Sequence, residues 1–589
     1  MSIASEIQRL QTAKEDIVRA LSRKGIEIPS SSTLDEFAEV IDPLTSGKTI
    51  DWADNPDNYL SFKFVTDGGV RWQNKKGDIQ YSKDAGTTWT YFSGATVSCD
   101  AGDEVWFKGG LTGGCGANGE ANCSKFYTSG KFYAAGNVQS LCDFNNTLVN
   151  YHFAYLFCNN LGLNVETSNA IVLPATTLAE NCYYYMFAGC TSLTTAPELP
   201  ATTLESNCYN SMFNGCTSLT TAPSLPATTL AQSCYNSMFN GCTNLTTAPQ
   251  LPATTLAMSC YSNMFQGCTS LTTAPELHST TLANYCYNSM FYGCTSLTTA
   301  PELPATALTY YCYQYMFQDC SSLTTAPALP ATTLTTNCYY SMFAGCTSLT
   351  TVPDLSATTL AQGCYEYMFN GCTSLTTAPE LPATTLTFRC YQYMFSGCTS
   401  LTTAPELPAT TLASDCYYGM FGGCTSLTTA PDLSATTLAT ECYQYMFSGC
   451  TSLTTAPELP ATTLAQSCYY YMFQGCTSLT TAPAILPATT LTTTCYAYMF
   501  QGCTSLTTAP ELPATTLVAR CYQYMFYGCS RLNYIKCLAE NVSASSCKAN
   551  WVTSVASSGT FVKSPNITET TWGSGNSGIP KGWTVQDAS

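Results

Sequence analysis

Leu173–Glu198 reads LPATTLAENCYYYMFAGCTSLTTAPE, and this segment returns almost letter for letter from Leu199, Leu225 and Leu251, a constant step of 26 residues. The register continues through Leu277, Leu303, Leu329, Leu355, Leu381, Leu407, Leu433 and Leu459, slips by one residue at Ala484-Ile485-Leu486, and resumes at Leu512. Fourteen copies therefore fill the chain from Leu173 to about Ser530. Self-similarity at such a period marks a repeat architecture in which each unit packs only on its neighbours. A stack of this kind offers a long surface and no natural pocket, which argues for binding or scaffolding before catalysis.

Differences between the copies separate two faces. Cys182, Tyr183, Met186, Phe187 and Cys190 recur, at offsets 0, 1, 4, 5 and 8, which reads as the core stripe of a 3.6-residue helix. The letters that change, Glu180, Asn181, Tyr184, Tyr185 and Ala188, fall on the opposite stripe and are expected to face solvent. After Gly189, Leu193 and Thr194-Thr195 suit a short strand that Pro197 ends. The expected fold is α/β, a leucine-rich-repeat-like solenoid with short parallel strands on one side and short helices on the other. Steps of roughly 4.8 Å per coil would make it on the order of 60 Å long.

The combination MFxGCTSLTTAP resembles the BspA-type leucine-rich repeats of bacterial surface proteins. The matching positions are Met186-Phe187, Cys190 and Leu193, then Met212-Phe213, Cys216 and Leu219, and so on to Met525-Phe526, Cys529 and Leu532. The chain departs from that pattern in a longer unit and in the extra Cys before Tyr. The resemblance implies adhesion or recognition outside the cell and names no ligand.

Charged residues are 10% of the chain, with a formal net charge of −17, so no basic stripe is available for phosphates and nucleic-acid binding is not expected. No apolar run approaches the length of a membrane span, and the N-terminus lacks the apolar core of a signal peptide. Of the 35 cysteines, 28 follow the repeat at two per copy, and the others are Cys99, Cys115, Cys123, Cys142, Cys158, Cys537 and Cys547. They read as two ladders of reduced, buried thiols serving as small hydrophobes.

Four parts are expected. Residues 1–47 form a helical attachment or oligomerisation segment, with Ile3, Ile7, Leu10, Ile17 and Leu21 at seam spacing. The run AKEDIVRALSRKGIEIPSSSTLDEFAEVI within it looks like N-terminal segments of phage tail-fibre-type proteins. Residues 48–150 alternate with period two, as at Leu60, Phe62 and Phe64, and predict a small antiparallel β domain of sandwich type. Ser82-Lys83-Asp84-Ala85-Gly86-Thr87-Thr88-Trp89 in it resembles the Asp-box hairpin of sialidases, a structural turn there. The solenoid proper is placed at 151–536, its first turn around Phe157, Cys158 and Leu161. A C-terminal cap at 537–589 would use Trp551, Trp572 and Trp583 to close the stack.

His152 and His278 are the only histidines, and no HExxH, GxSxG or Cys-x-x-Cys motif occurs. No enzyme, cofactor or resident metal is expected. Glu198, Glu276, Glu302, Glu380, Glu406, Glu458, Glu511, Asp354 and Asp432 line one edge, which reads as a solvated acidic stripe rather than a Ca²⁺ site. The candidate ligand surface is the column of variable tyrosines, Tyr184, Tyr185, Tyr315, Tyr367, Tyr393, Tyr445, Tyr470, Tyr471 and Tyr498, amphipathic anchors of the kind recognition surfaces favour. The leading functional reading is a non-enzymatic recognition fibre of a phage tail. Its solenoid would meet a bacterial surface receptor, protein or glycan, its N-terminal helix would attach or trimerise the chain, and other tail or baseplate proteins would be partners, with no membrane insertion. The alternatives are a bacterial cell-surface adhesin and a structural spacer or filament subunit.

Overall fold

The structure, a computed structural model, describes residues 52–589 apart from 56, 75, 117–119, 146 and 167. The segment expected to be helical, 1–47, lies outside the described residues.

Eight strands build the first part: β1 (Leu60–Phe64), β2 (Gly68–Gln73), β3 (Ile79–Ser82), β4 (Thr90–Tyr91), β5 (Val97–Cys99), β6 (Glu104–Gly109), β7 (Lys125–Ser129) and β8 (Phe132–Asn137). They pair antiparallel in two sheets, β8-β1-β6-β3-β4 and β5-β2-β7. The inward letters of the period-two pattern meet between the sheets, where Phe62 touches Phe107 and Phe132 of its own sheet and, at 5.0 Å between ring centroids, Phe126 of the other. The core does not stop at the end of this part. Short strands β9 (Leu163–Asn164) and β10 (Ile171–Val172) from the first coil pair parallel with β8, and Phe157 joins Phe62 and Phe126 on one side to Phe187 on the other.

The coils carry no helices. The only α-helix among the described residues is α1 (Glu569–Trp572), capped by Thr568. Where helices were expected, each coil makes a ribbon of turns. In the coil after Leu251, the N–H groups of Cys260, Ser262, Met264, Gln266 and Cys268 donate three residues back, to the carbonyls of Ala257, Ser259, Tyr261, Asn263 and Phe265. The alternate N–H groups of Tyr261, Asn263, Phe265 and Gly267 donate to Cys286, Asn288, Met290 and Tyr292 of the next coil at 2.7–3.0 Å. Every fourth residue is left-handed, with φ of 56° at Ser259, 56° at Asn263 and 71° at Gly267.

Coil spacing explains the correction. Equivalent rings in successive coils stack at 5.8 Å for Tyr209 on Tyr235 and 5.6 Å for Phe213 on Phe239, whereas packed helices need about 8–10 Å between axes. A helix in every coil has no room. The turn ribbon fits because half of its N–H groups are satisfied by the neighbouring coil instead of within its own segment. On the other side the expected parallel strands shrink to single-residue bridges, which run from Thr195 through Thr221, Thr247, Thr273, Thr299 and Thr325 to Thr351, with a second set such as Thr177 with Thr203. Bridges of one residue do not alternate as a strand does, and Thr272 and Thr273 are both exposed.

The ladder outlasts the repeat in the sequence. Thr508 bridges Tyr534, and β11 (Tyr534–Cys537), β12 (Thr560–Lys563) and β13 (Thr584–Asp587) pair parallel in turn. Left-handed Ser546, Asn550 and Ser554 continue the ribbon. Within 537–589, Trp551 stacks on Trp572 at 5.6 Å and lies against Tyr522 and Phe526, so indoles close the tyrosine and phenylalanine columns. At the other end Tyr151, Tyr155 and Asn159 are left-handed, and Phe153 and Phe157 begin the ring columns on Tyr183 and Phe187. Leu161 is 62% exposed, and the leucines buried in that coil are Leu156 and Leu163.

Candidate functional site

Within each ribbon the left-handed residue reverses the chain every fourth position, so side chains go two in, two out. Cys182, Tyr183, Met186, Phe187 and Cys190 and their counterparts are buried throughout the stack. Tyr184 and Tyr185 point out, half-buried against their neighbours.

All 35 cysteines are unpaired and buried. In the second ladder each thiol donates to a phenylalanine carbonyl one coil upstream, as Cys216 does to Phe187 and Cys242 to Phe213, both at 3.1 Å. Burial pushes these thiols well above their usual range, as at Cys268 and Cys294, the reverse of what activates a thiolate. His152 is buried with Nδ1 accepting from the Val149 N–H at 3.1 Å, and His278 is exposed beside Glu276. The acidic edge stays in solvent from Glu198 to Glu458, while Glu511 pairs with Lys536 at 2.9 Å. Among the described residues no group of three or more His, Cys, Asp or Glu is placed to hold a metal ion. The Asp-box segment forms the β3–β4 hairpin, where Asp84 accepts from Ser82 Oγ and from the Thr88 N–H and hydroxyl, bonds that hold its carboxyl at about 2.

The tyrosines form a surface of their own. Tyr315, Tyr367, Tyr393, Tyr445, Tyr471 and Tyr498 occupy the middle left-handed position of their coils, at φ of 53–59°. Tyr367 stacks on Tyr393 at 4.9 Å, Tyr445 on Tyr471 at 4.8 Å and Tyr471 on Tyr498 at 4.3 Å. Tyr470, one position earlier, stands edge-on to both Tyr471 and Tyr498. Tyr184 and Tyr185 belong to a separate cluster with Tyr155 near the β domain. Sequence reasoning missed three members of the main row. Tyr340 and Tyr418 fill it in the coils where the left-handed position is Ser341 or Gly419, touching Tyr315 and Tyr367, and Tyr393 and Tyr445. Tyr524 extends it beyond Tyr498 at 4.7 Å. Tyr340 and Tyr418 share the column of Tyr184 and Tyr470, and Tyr524 that of Tyr498, so the repeat register alone could have found all three.

Polar side chains are threaded through the row. Glu366 is 8% exposed, and burial raises its carboxyl to about 7 despite the opposing charge of Arg389, with Asp415 adding to the rise. Arg389 Nε donates to Asp415 at 3.2 Å in the next coil. Gln444 donates to the Tyr418 hydroxyl, and Asn550 to that of Tyr524.

The BspA type leucine-rich-repeat region, a family unit of six repeat copies, matches over residues 168–287, 253–376, 313–454, 362–498 and 440–563, well over half of the chain. The chain belongs to the BspA-type leucine-rich-repeat family. The chain is similar to a leucine-rich repeat protein from Bacteroides ovatus, at 20% identity and a TM-score of 0.40 over 69% of this chain and 96% of that one. It is also similar to a leucine-rich cell surface protein from Faecalibacterium prausnitzii, at 18% identity and a TM-score of 0.30 over 78% and 93% of the two chains. No curated protein matches. None of these likenesses is to a phage tail fibre, and the segment that suggested one lies outside the described residues.

Proposed function

We propose that this BspA-type solenoid is a non-enzymatic recognition protein of a bacterial cell surface, an adhesin that meets its ligand through the outer face of the turn ribbon. The observation that carries the reading is the division of labour within each coil. Core, bridges and prolines repeat with little change over fourteen copies, while the two outward positions of the ribbon change from copy to copy and take up tyrosine. Family membership favours this reading over the tail-fibre role. Tyrosines interspersed with Ser, Asn, Gln and Gly have the composition of adaptable recognition surfaces.

Antibodies raised against the solenoid test the location. Labelling of intact cells, with loss of the signal after brief external proteolysis, is the expected result. Labelling that requires permeabilised cells would rule out a surface adhesin. The purified chain should also coat host cells or mucus saturably.

A further inference from the structure

The three left-handed columns of the ribbon are filled by different rules. The last column, after the Phe, holds Gly in thirteen of the fourteen copies, from Gly189 to Gly528, with Asp319 as the exception. Glycine takes this backbone without steric penalty. The middle column is under the same constraint, and Asn263 and Gly419 show that it accepts the residues for which φ > 0 is cheap. It nevertheless carries tyrosine in eight copies, Tyr185, Tyr315, Tyr367, Tyr393, Tyr445, Tyr471, Tyr498 and Tyr524. A bulky residue at positive φ costs on the order of 1 kcal/mol or more, and such strain gathers where a surface is used.

The tyrosines are also distributed with a purpose that folding does not require. Each of nine consecutive coils presents at least one outward tyrosine: Tyr315, Tyr340, Tyr367, Tyr393, Tyr418, Tyr445, Tyr470 with Tyr471, Tyr498 and Tyr524. Where the left-handed position lacks one, at Ser341 and Gly419, the preceding position supplies it, and the ring contacts stay unbroken from Tyr315 to Tyr524. At Gly419 a Cβ would come within 2.4 Å of the Tyr393 ring, so the glycine makes room for the row. At these two positions the four coils from Leu199 to Leu277 carry Asn210-Ser211, Asn236-Ser237, Ser262-Asn263 and Asn288-Ser289 instead, and their ribbon keeps the same left-handed backbone, with φ of 53–56° at Ser211, Ser237, Asn263 and Ser289.

We infer that this row is a binding track for a neutral, linear polysaccharide lying along the stack, one sugar ring to each coil. This rests on the recognition reading above and names the ligand class. Many of the rings lie face to face, so those faces are occupied by each other, and the track offers ring edges and phenol hydroxyls. The half-buried hydroxyls of Ser396 and Ser448 and the amide of Gln474 accompany them. These groups exchange hydrogen bonds with a polyol while their apolar edges cover its carbon–hydrogen faces. Periodicity favours a polymer over a globular partner: the row repeats the same group at one-coil intervals, and an extended glycan repeats its ring with a comparable advance. Charge decides between neutral and anionic polymers, because a chain of net charge −17 repels polyanions.

The test uses the full chain and a triple variant, Tyr445→Ser, Tyr471→Ser and Tyr498→Ser, serine being native at Ser211, Ser237, Ser289 and Ser341 of the same column. Affinity electrophoresis and calorimetry are run against mixed-linkage β-glucan, glucomannan, arabinoxylan and α-mannan, with heparin and polygalacturonate as anionic controls. The expected result is binding to at least one neutral polymer that survives high salt and is weakened about tenfold or more in the variant, a loss of roughly 1.4 kcal/mol or more, with an unchanged thermal melt. The inference is overturned if no neutral polymer binds, if only the polyanions bind, or if the variant binds as well as the parent. A variant that melts much earlier yet binds normally would make the row a packing device. Should the chain coat cells through a protein while ignoring every glycan, the inference falls and the surface-recognition reading stands.

Discussion

The Cys268 thiol donates to the carbonyl of Phe239, one coil upstream, at 3.1 Å, and that carbonyl already accepts the N–H of Cys242. The same bond recurs along the ladder, from Cys190 onto Phe157 to Cys529 onto Phe500. The second cysteine of each repeat is therefore a small hydrophobe with a directed donor, a cross-link between coils that no other apolar residue of its size supplies.

From that bond follows an ordering of substitutions at Cys268. Serine keeps a donor toward Phe239, while alanine removes both the donor and part of the packing. Cys268→Ala should cost about 1–3 kcal/mol, and Cys268→Ser less. Chemical denaturation of the two variants checks this. A larger loss for serine would mean that the buried hydroxyl is not satisfied by the carbonyl.

The ribbon also has a spectroscopic signature. With one four-residue α-helix among the described residues, the far-UV circular dichroism of a chain starting near Lys48 should lack the double minimum of α-helix. A strong helical spectrum would restore helices to the coils. Hydrogen exchange should further show protection of alternate residues such as Tyr261 and Phe265, whose N–H groups lie between coils.

How far the sequence could be read depends on a small difference of period. The 26-residue unit, the core letters and the outward direction of the variable positions were legible, because copies within one chain reveal which positions tolerate change. Offsets of 0, 1, 4, 5 and 8 suit a 3.6-residue helix and a four-residue turn ribbon almost equally over so short a run. What separates them is inter-coil spacing, a tertiary quantity that no single repeat states. The C-terminal coils escaped for a different reason. Ser546, Asn550 and Ser554 keep the left-handed rhythm while the letters around them have changed. The tyrosine row was seen in part: Tyr340 and Tyr418 share the column of Tyr470, and Tyr524 that of Tyr498, but only the ring contacts show that the two columns make one row.

Glu366 predicts a pH dependence. Its carboxyl is raised from 4.5 to about 7, first by burial, with Arg389 opposing and Asp415 reinforcing the shift. The folded state therefore holds a proton that the unfolded state releases above pH 4.5, so the contribution is fully present at low pH and is lost as pH rises through 7. Glu366→Gln mimics the protonated form. The variant should match the parent in acid and become the more stable protein above neutrality, by on the order of 2–3 kcal/mol. Thermal melts across that range decide it, and a variant less stable than the parent at alkaline pH would show that Arg389 holds the carboxylate ionised.

Trp551 tests how far cooperativity runs along the stack. It is fully buried, stacks on Trp572, faces Tyr522 and Phe526, and donates its indole N–H to the Gly578 carbonyl at 2.9 Å. Trp551→Ala should remove about 3–5 kcal/mol of packing at the C-terminal end. In a stack held by nearest-neighbour contacts such a loss acts first on the adjoining coils. Hydrogen exchange is thus expected to rise for amides between Tyr522 and Trp583, while those around Tyr235 and Tyr261 keep their protection. Uniform loss of protection along the whole ladder would mean that the solenoid unfolds as one unit and that the indoles govern its global stability.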